Sequence, residues 1–89
     1  MDVAQMKEKI KEIIANVTSI DPTEIGDATS FTEELGLDSL SLLEIGVDVD
    51  YEFKLELTEE RMRGLDSVDQ TLALVEERLQ EKSVQAEVA

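Results

Sequence analysis

Six consecutive residues, Leu35-Gly36-Leu37-Asp38-Ser39-Leu40, set a sharp change of chain direction and the start of a helix. Gly36 can take positive φ and so can turn the backbone tightly. Asp38 is a good N-cap for a helix that begins at Ser39. No proline interrupts Leu40 to Phe53. The pattern places a serine hydroxyl in the first turn of a helix, directly after a tight loop. Backbone N–H groups and the positive end of the helix dipole gather there, so a phosphate joined to that hydroxyl would be favourably placed. Taken alone, an Asp-Ser pair at this position also reads as an ordinary helix cap.

The rest of the chain must fold around that turn with limited means. Its 89 residues suit one small domain, which buries only about 60–65% of the surface of the unfolded chain. Aromatic residues are 3% of the total, so the core has to be aliphatic, with Phe31 and Phe53 as its large pieces.

Apolar residues Val3, Met6, Ile10, Ile13, Ile14 and Val17 recur at helical spacing, predicting a first helix over about Val3 to Val17. Lys7, Lys9 and Lys11 lie on its other face and are three of the chain's eight basic residues. Asp21-Pro22 ends any continuation, because proline restricts the residue before it. Pro22 to Ile25 can form one short turn with proline at its start. Ser19 to Leu37 is a long connection, expected to be pinned to the core by Ile20, Ile25, Phe31 and Leu35.

The segment Leu40 to Leu57 supports two readings. Ile45, Val47, Val49, Tyr51, Phe53, Leu55 and Leu57 alternate with polar residues or glycine, which by periodicity alone is a strand. Wound as a helix, Leu42, Ile45, Val49 and Phe53 form one stripe. Leu40, Leu43, Val47 and Tyr51 then form the opposite one, with Glu44 beside them. One stripe would face the core, and the other would be a partly exposed apolar patch of the kind that marks an interaction surface. Leu43 could equally complete the core.

Thr58-Glu59-Glu60 reads as an N-cap and an acidic first turn, predicting a short helix Glu59 to Arg63 ended by Gly64. Gly64-Leu65-Asp66-Ser67-Val68 then echoes the first motif. Here Ser67 and Gln70 fit a capping box, with Gln70 able to reach back to the Ser67 N–H. Val68, Leu72, Val75 and Leu79 follow at helical spacing, so a last helix is expected over about Ser67 to Glu81. Residues 83–89 have no clear period and are expected to form a flexible tail, leaving 1–82 as the domain.

Several chemistries are excluded by residue type. With no cysteine and no histidine, the chain has no disulfide, no thiolate metal site, and no Ser-His or Cys-His pair. A reactive thiol, if needed, must come from a prosthetic group. Asp48 to Glu59 faintly suggests a calcium loop, but Phe53 stands where the loop needs glycine. No metal site is therefore expected. Asp and Glu number 22 against 8 Lys and Arg, a formal charge of −14. Such a surface repels nucleic acid and anionic membrane and attracts basic partners. No segment has the length of a membrane span and no signal-peptide pattern is present, so a soluble cytoplasmic protein is expected.

The string Leu35 to Leu40, preceded by Phe31-Thr32-Glu33-Glu34 and followed by Ser41-Leu42-Leu43-Glu44, resembles the acyl carrier protein family. The resemblance runs from about Met6 to Leu79. It implies an all-α fold, a small four-helix bundle with a long first loop and a short third helix, and so favours helix for Ser39 to Phe53. It implies a 4′-phosphopantetheine arm on Ser39, flanked by Asp38 and Leu40, with Ser67 merely starting the last helix. It also implies carriage of acyl thioesters rather than catalysis, and a docking face of Leu40, Glu44, Val47 and Asp48. The implied partners are a phosphopantetheinyl transferase and acyltransferase, ketosynthase and other acyl-processing enzymes with basic docking surfaces. The chain is expected to be a freestanding monomer, since Met1 lies just before the first helix. The resemblance is to carriers of fatty-acid and polyketide synthesis. Leu37 stands where peptidyl carriers usually have glycine, which points away from a peptidyl carrier. The alternation after Ile45 and the Gly46 depart from the commonest fatty-acid carrier pattern and leave a specialised polyketide or lipid role open. The competing class is an acidic helical adaptor in which Ser39 is only a helix cap.

Overall fold

The computed structural model describes the backbone of residues 2–88 and the side chains of residues 2–81. Four α-helices follow one another: α1 Val3–Thr18, α2 Ser39–Phe53, α3 Glu59–Arg63 and α4 Val68–Val88, with a single 3₁₀ turn at Pro22–Glu24 between α1 and α2. No strand occurs among the described residues. The bundle, the long first loop and the short third helix agree with the sequence-based expectation.

Helix α1 starts in a reciprocal cap. The Gln5 N–H donates to Asp2 Oδ1 at 2.8 Å, and the Asp2 N–H donates to Gln5 Oε1 at 3.0 Å, satisfying two otherwise orphaned donors. Ile10, Ile13 and Ile14 enter the core from this helix. They meet Leu42, Ile45 and Val49 of α2, Met62 of α3, and Val68, Leu72 and Val75 of α4 in one cluster. Ile25 and Phe31 fasten the long loop to it and are fully buried. Ile20 and Leu35 pack against it and are only half-buried. Phe53, expected as a main piece of the core, is also only partly buried, so Phe31 is the one aromatic ring fully inside.

The alternating pattern of Ile45 to Leu57 is divided between two structures. Up to Phe53 the chain is helical. Lys54 and Glu56 then take left-handed conformations, with φ of 54° and 57°. The Asp50 carboxylate holds this turn by accepting from the N–H groups of Leu55 at 3.0 Å and Glu56 at 2.7 Å. Leu55 and Leu57 therefore both point into the core, although no strand forms.

Gly64 ends α3 as expected, at φ −87°. Its N–H reaches the Glu60 and Arg61 carbonyls at 3.2 Å each, and a right-handed conformation suffices for that. Two other expectations need correction. The Gln70 side chain reaches past Ser67 to accept from the Asp66 N–H, one residue further back than a capping box requires. Helix α4 begins at Val68 and continues to Val88, so residues 83–88, expected in a tail, are helical. No proline or glycine lies beyond Gly64 to stop it. Ala89 lies outside the described residues.

Candidate functional site

The loop before α2 is built around Phe31. Its N–H donates to the Asp66 carbonyl at 2.7 Å, and its own carbonyl accepts from the Leu37 N–H at 2.9 Å. The Ser30 carbonyl accepts from Glu34 and Leu35, closing a compact turn. Gly36 completes it at φ 67°, in open space where a Cβ would meet nothing within 4 Å. Only the backbone conformation demands glycine there.

Asp38 is extended, at φ −93° and ψ 177°, and caps α2. Its Oδ1 accepts from the Ser41 N–H at 2.9 Å. That bond is the first cause of a carboxyl pKa below the ordinary aspartate value, with smaller help from the Ser41 side chain and neighbouring N–H groups. Capping is thus already supplied when the chain reaches Ser39. The Ser39 side chain is exposed and makes no hydrogen bond among the described residues. It occupies the first position of a helix of 15 residues, at the positive end of the dipole. An exposed, uncommitted hydroxyl just after a tight turn, with aligned N–H dipoles behind it, fits a group joined through phosphate.

The echo motif is used differently. Ser67 is half-buried, and its Oγ accepts from the Gln70 N–H at 3.1 Å. There the serine, not the aspartate, is the cap. The freed Asp66 carboxylate crosses to the first loop, accepting from Ser30 Oγ at 3.0 Å and from Thr32 Oγ1 and N–H at 2.9 and 3.2 Å. Those bonds, the Thr32 N–H first, hold its pKa below the ordinary value. The sequence carries one signal for this clamp: Ser67 fills the capping post, which leaves the neighbouring Asp66 carboxylate without that role.

Along α2, Leu40 is 62% exposed, Val47 49% and Tyr51 84%. Glu44 and Asp48 are exposed beside them. The expected face of Leu40, Glu44, Val47 and Asp48 therefore lies together on one side of α2, and Tyr51 lengthens it. Leu43 is half-buried and packs against the core, while a shallow depression bounded by Val17, Leu43, Glu44, Val47 and Asp48 runs beside it. Among the described residues no cluster of three metal-ligating side chains occurs, and no helix is long and apolar enough to cross a membrane.

A family model described as a phosphopantetheine attachment site matches residues 8–75. The meromycolate extension acyl carrier protein of Mycobacterium tuberculosis is 36% identical over 77 residues, 86% of this chain and 66% of that protein. The chain thus spans slightly under two thirds of the length of the relatives from the genus Mycobacterium that it matches. An acyl carrier protein of Clostridium acetobutylicum is 35% identical over 74 residues, 83% of this chain and 96% of its own length. Polyketide-8 synthase acyl carrier protein 2 of Streptomyces avermitilis is 34% identical over 73 residues, 82% of this chain and 84% of its own. The match covers α1 through most of α4, and the free hydroxyl stands within it. By this extent of likeness the chain belongs to the acyl carrier protein family.

Proposed function

We propose that Ser39 is the attachment residue and that the chain carries acyl intermediates of fatty-acid or polyketide synthesis. The observation that carries this reading is the division of labour at the start of α2. Asp38 caps the helix, and the Ser39 hydroxyl is left exposed and unbonded. The adaptor reading needed Ser39 as a cap, and that post is filled by its neighbour.

When bound, the arm supplies a terminal thiol that holds an acyl group as a thioester. Everything else falls to the chain. Ser39 Oγ displaces at the pyrophosphate of coenzyme A to form a phosphodiester, with the adenine nucleotide leaving. Its proton passes to a base on the transferase. Asp38 holds the first turn in place through Ser41. Leu40 and Val47 offer apolar contact to a visiting enzyme, and Glu44 and Asp48 offer charge to a basic rim. Visitors in this reading are the phosphopantetheinyl transferase, then acyltransferase, ketosynthase and related enzymes. Such contacts must form and release repeatedly in the cytoplasm, which electrostatic steering of a monomer suits.

The test is intact mass after incubation with coenzyme A and a permissive phosphopantetheinyl transferase. Wild type and Ser67→Ala are expected to gain one phosphopantetheine, and Ser39→Ala none. A gain on Ser39→Ala equal to wild type would remove the assignment.

A further inference from the structure

The loop that leads into Ser39 is tied to the start of α4 by two backbone bonds, from the Phe31 N–H to the Asp66 carbonyl and from the Asp69 N–H to the Asp27 carbonyl, and by one side chain, that of Asp66. Asp66 Oδ1 lies within hydrogen-bond distance of three donors, the Ser30 hydroxyl, the Thr32 hydroxyl and the Thr32 N–H. Between Ser30 and Thr32 sits Phe31, fully buried, which donates its N–H to the carbonyl of the same Asp66. The Phe31 carbonyl then takes the Leu37 N–H, two residues before Ser39. A continuous set of bonds thus runs from the head of α4, through the backbone of the buried Phe31, to the residue that delivers Asp38 and Ser39 to the head of α2. Ser30 is further engaged inside the loop, its Oγ accepting from the Glu33 N–H at 3.1 Å.

We propose that Asp66 is a positioning residue for loading of the arm: it fixes the approach of the Phe31–Leu37 turn, and through it the orientation of Ser39 toward the transferase. The proposal rests on Ser39 being the attachment residue. Asp66 itself is removed in sequence from that site and touches no group of it. Its role is to keep the turn from adopting the many conformations open to an exposed loop, so that the nucleophilic hydroxyl is presented in one orientation. The ligated oxygen identifies the needed chemistry. Nearly all of the donors converge on Oδ1, so a neutral carbonyl oxygen in the same place can accept them, whereas a methyl group cannot.

The experiment compares wild type, Asp66→Ala, Asp66→Asn and Ser39→Ala under conditions where circular dichroism shows each to be folded. Steady-state loading from coenzyme A by a phosphopantetheinyl transferase gives kcat and KM for the carrier. Amide hydrogen exchange at Leu37 reports the loop independently of loading. Asp66→Ala is expected to lower kcat on the order of tenfold with KM little changed, because the face of Leu40, Glu44, Val47 and Asp48 is untouched. The Leu37 amide is expected to exchange about tenfold faster. Asp66→Asn is expected to restore both. Wild-type kcat in folded Asp66→Ala, a change confined to KM, or failure of Asp66→Asn to recover would each overturn the proposal. Loading of Ser39→Ala, or none in wild type, would instead overturn the attachment assignment, and the Leu37 amide would still report whether Asp66 governs the loop.

Discussion

Asp38 and Ser67 hold the same post at the heads of two helices, each accepting the N–H three residues ahead, from Ser41 at 2.9 Å and from Gln70 at 3.1 Å. They come from the same string, Gly-Leu-Asp-Ser, read one residue out of step. In the first copy the aspartate caps and the serine is released. In the second the serine caps and the aspartate is released to Ser30 and Thr32. One sequence pattern thus yields a free hydroxyl in one place and a free carboxylate in the other.

The two serines should therefore respond in opposite ways to the same substitution. Ser67→Ala is expected to cost about 0.5–2 kcal/mol of stability, the usual range for a lost cap, and to leave loading intact. Ser39→Ala is expected to change stability by less than about 0.5 kcal/mol and to abolish loading. Urea denaturation alongside intact mass reads both quantities. A large stability loss in Ser39→Ala would mean that its hydroxyl is structural after all.

Gly46 governs how closely α2 and α3 approach. A Cβ at position 46 would lie 2.6 Å from Met62 Cγ and 3.0 Å from Met62 Cα, and closer still to Met62 Cβ. Alanine raises helix propensity by about 1 kcal/mol, but here the crowding involves the neighbour's backbone and its first side-chain carbon. Shortening Met62 to alanine would leave that carbon in place. Gly46→Ala is expected to destabilise by about 1–3 kcal/mol, and Met62→Ala is not expected to rescue it. A thermal melt of the single and double variants checks this.

Much of this was legible before any coordinates. The start of α2 and the bounds of α3 follow from their caps, helix over strand for α2 follows from the family resemblance, and Ile25 and Phe31 were identifiable as anchors of the loop. What was not legible depended on where carboxylates bond beyond their own turn. That Ser67 takes the cap was legible from Gln70 three residues on, but the destination of the Asp66 carboxylate was not. That destination turns on Ser30 and Thr32, far away in sequence. The strand-like run to Leu57 was ambiguous for a related reason. Its last alternations belong to a left-handed turn held by Asp50, and a periodicity window averages that turn with the helix before it.

On the α2 face, burial and function should separate. Leu40 and Val47 are too exposed for truncation to disturb the core. Leu40→Ala and Val47→Ala are expected to shift stability by no more than about 0.5 kcal/mol while weakening turnover by a partner enzyme. Reversing charge at Glu44 and Asp48 to lysine is expected to slow association about tenfold at low salt, and added salt should erase the difference. Stopped-flow association rates across an ionic-strength series would show it. Added salt should also stabilise the chain itself, because 22 acidic against 8 basic residues leave repulsion as the main term that salt screens.

Asp27 anchors the long loop to two helices. It meets Lys11 at 2.8 Å and Lys7 at 2.9 Å on α1, and its carbonyl accepts the Asp69 N–H of α4 at 3.0 Å. Hydrogen bonds from Lys11 first, then Lys7, lower its pKa to about 2. An unfolded chain would hold the same carboxyl near the ordinary value of about 3.9. Between those values the unfolded state binds more protons, so stability falls as pH falls. The contribution of Asp27 is complete above about pH 4 and is lost on approach to about pH 2. Asp27→Asn removes this titration and is expected to make the urea midpoint fall less steeply across that window. Asp38 and Asp66 also have lowered values and would continue to titrate, so the slope should shrink and not vanish. Equal slopes in the two proteins would show that the Lys7 and Lys11 contacts do not persist in solution.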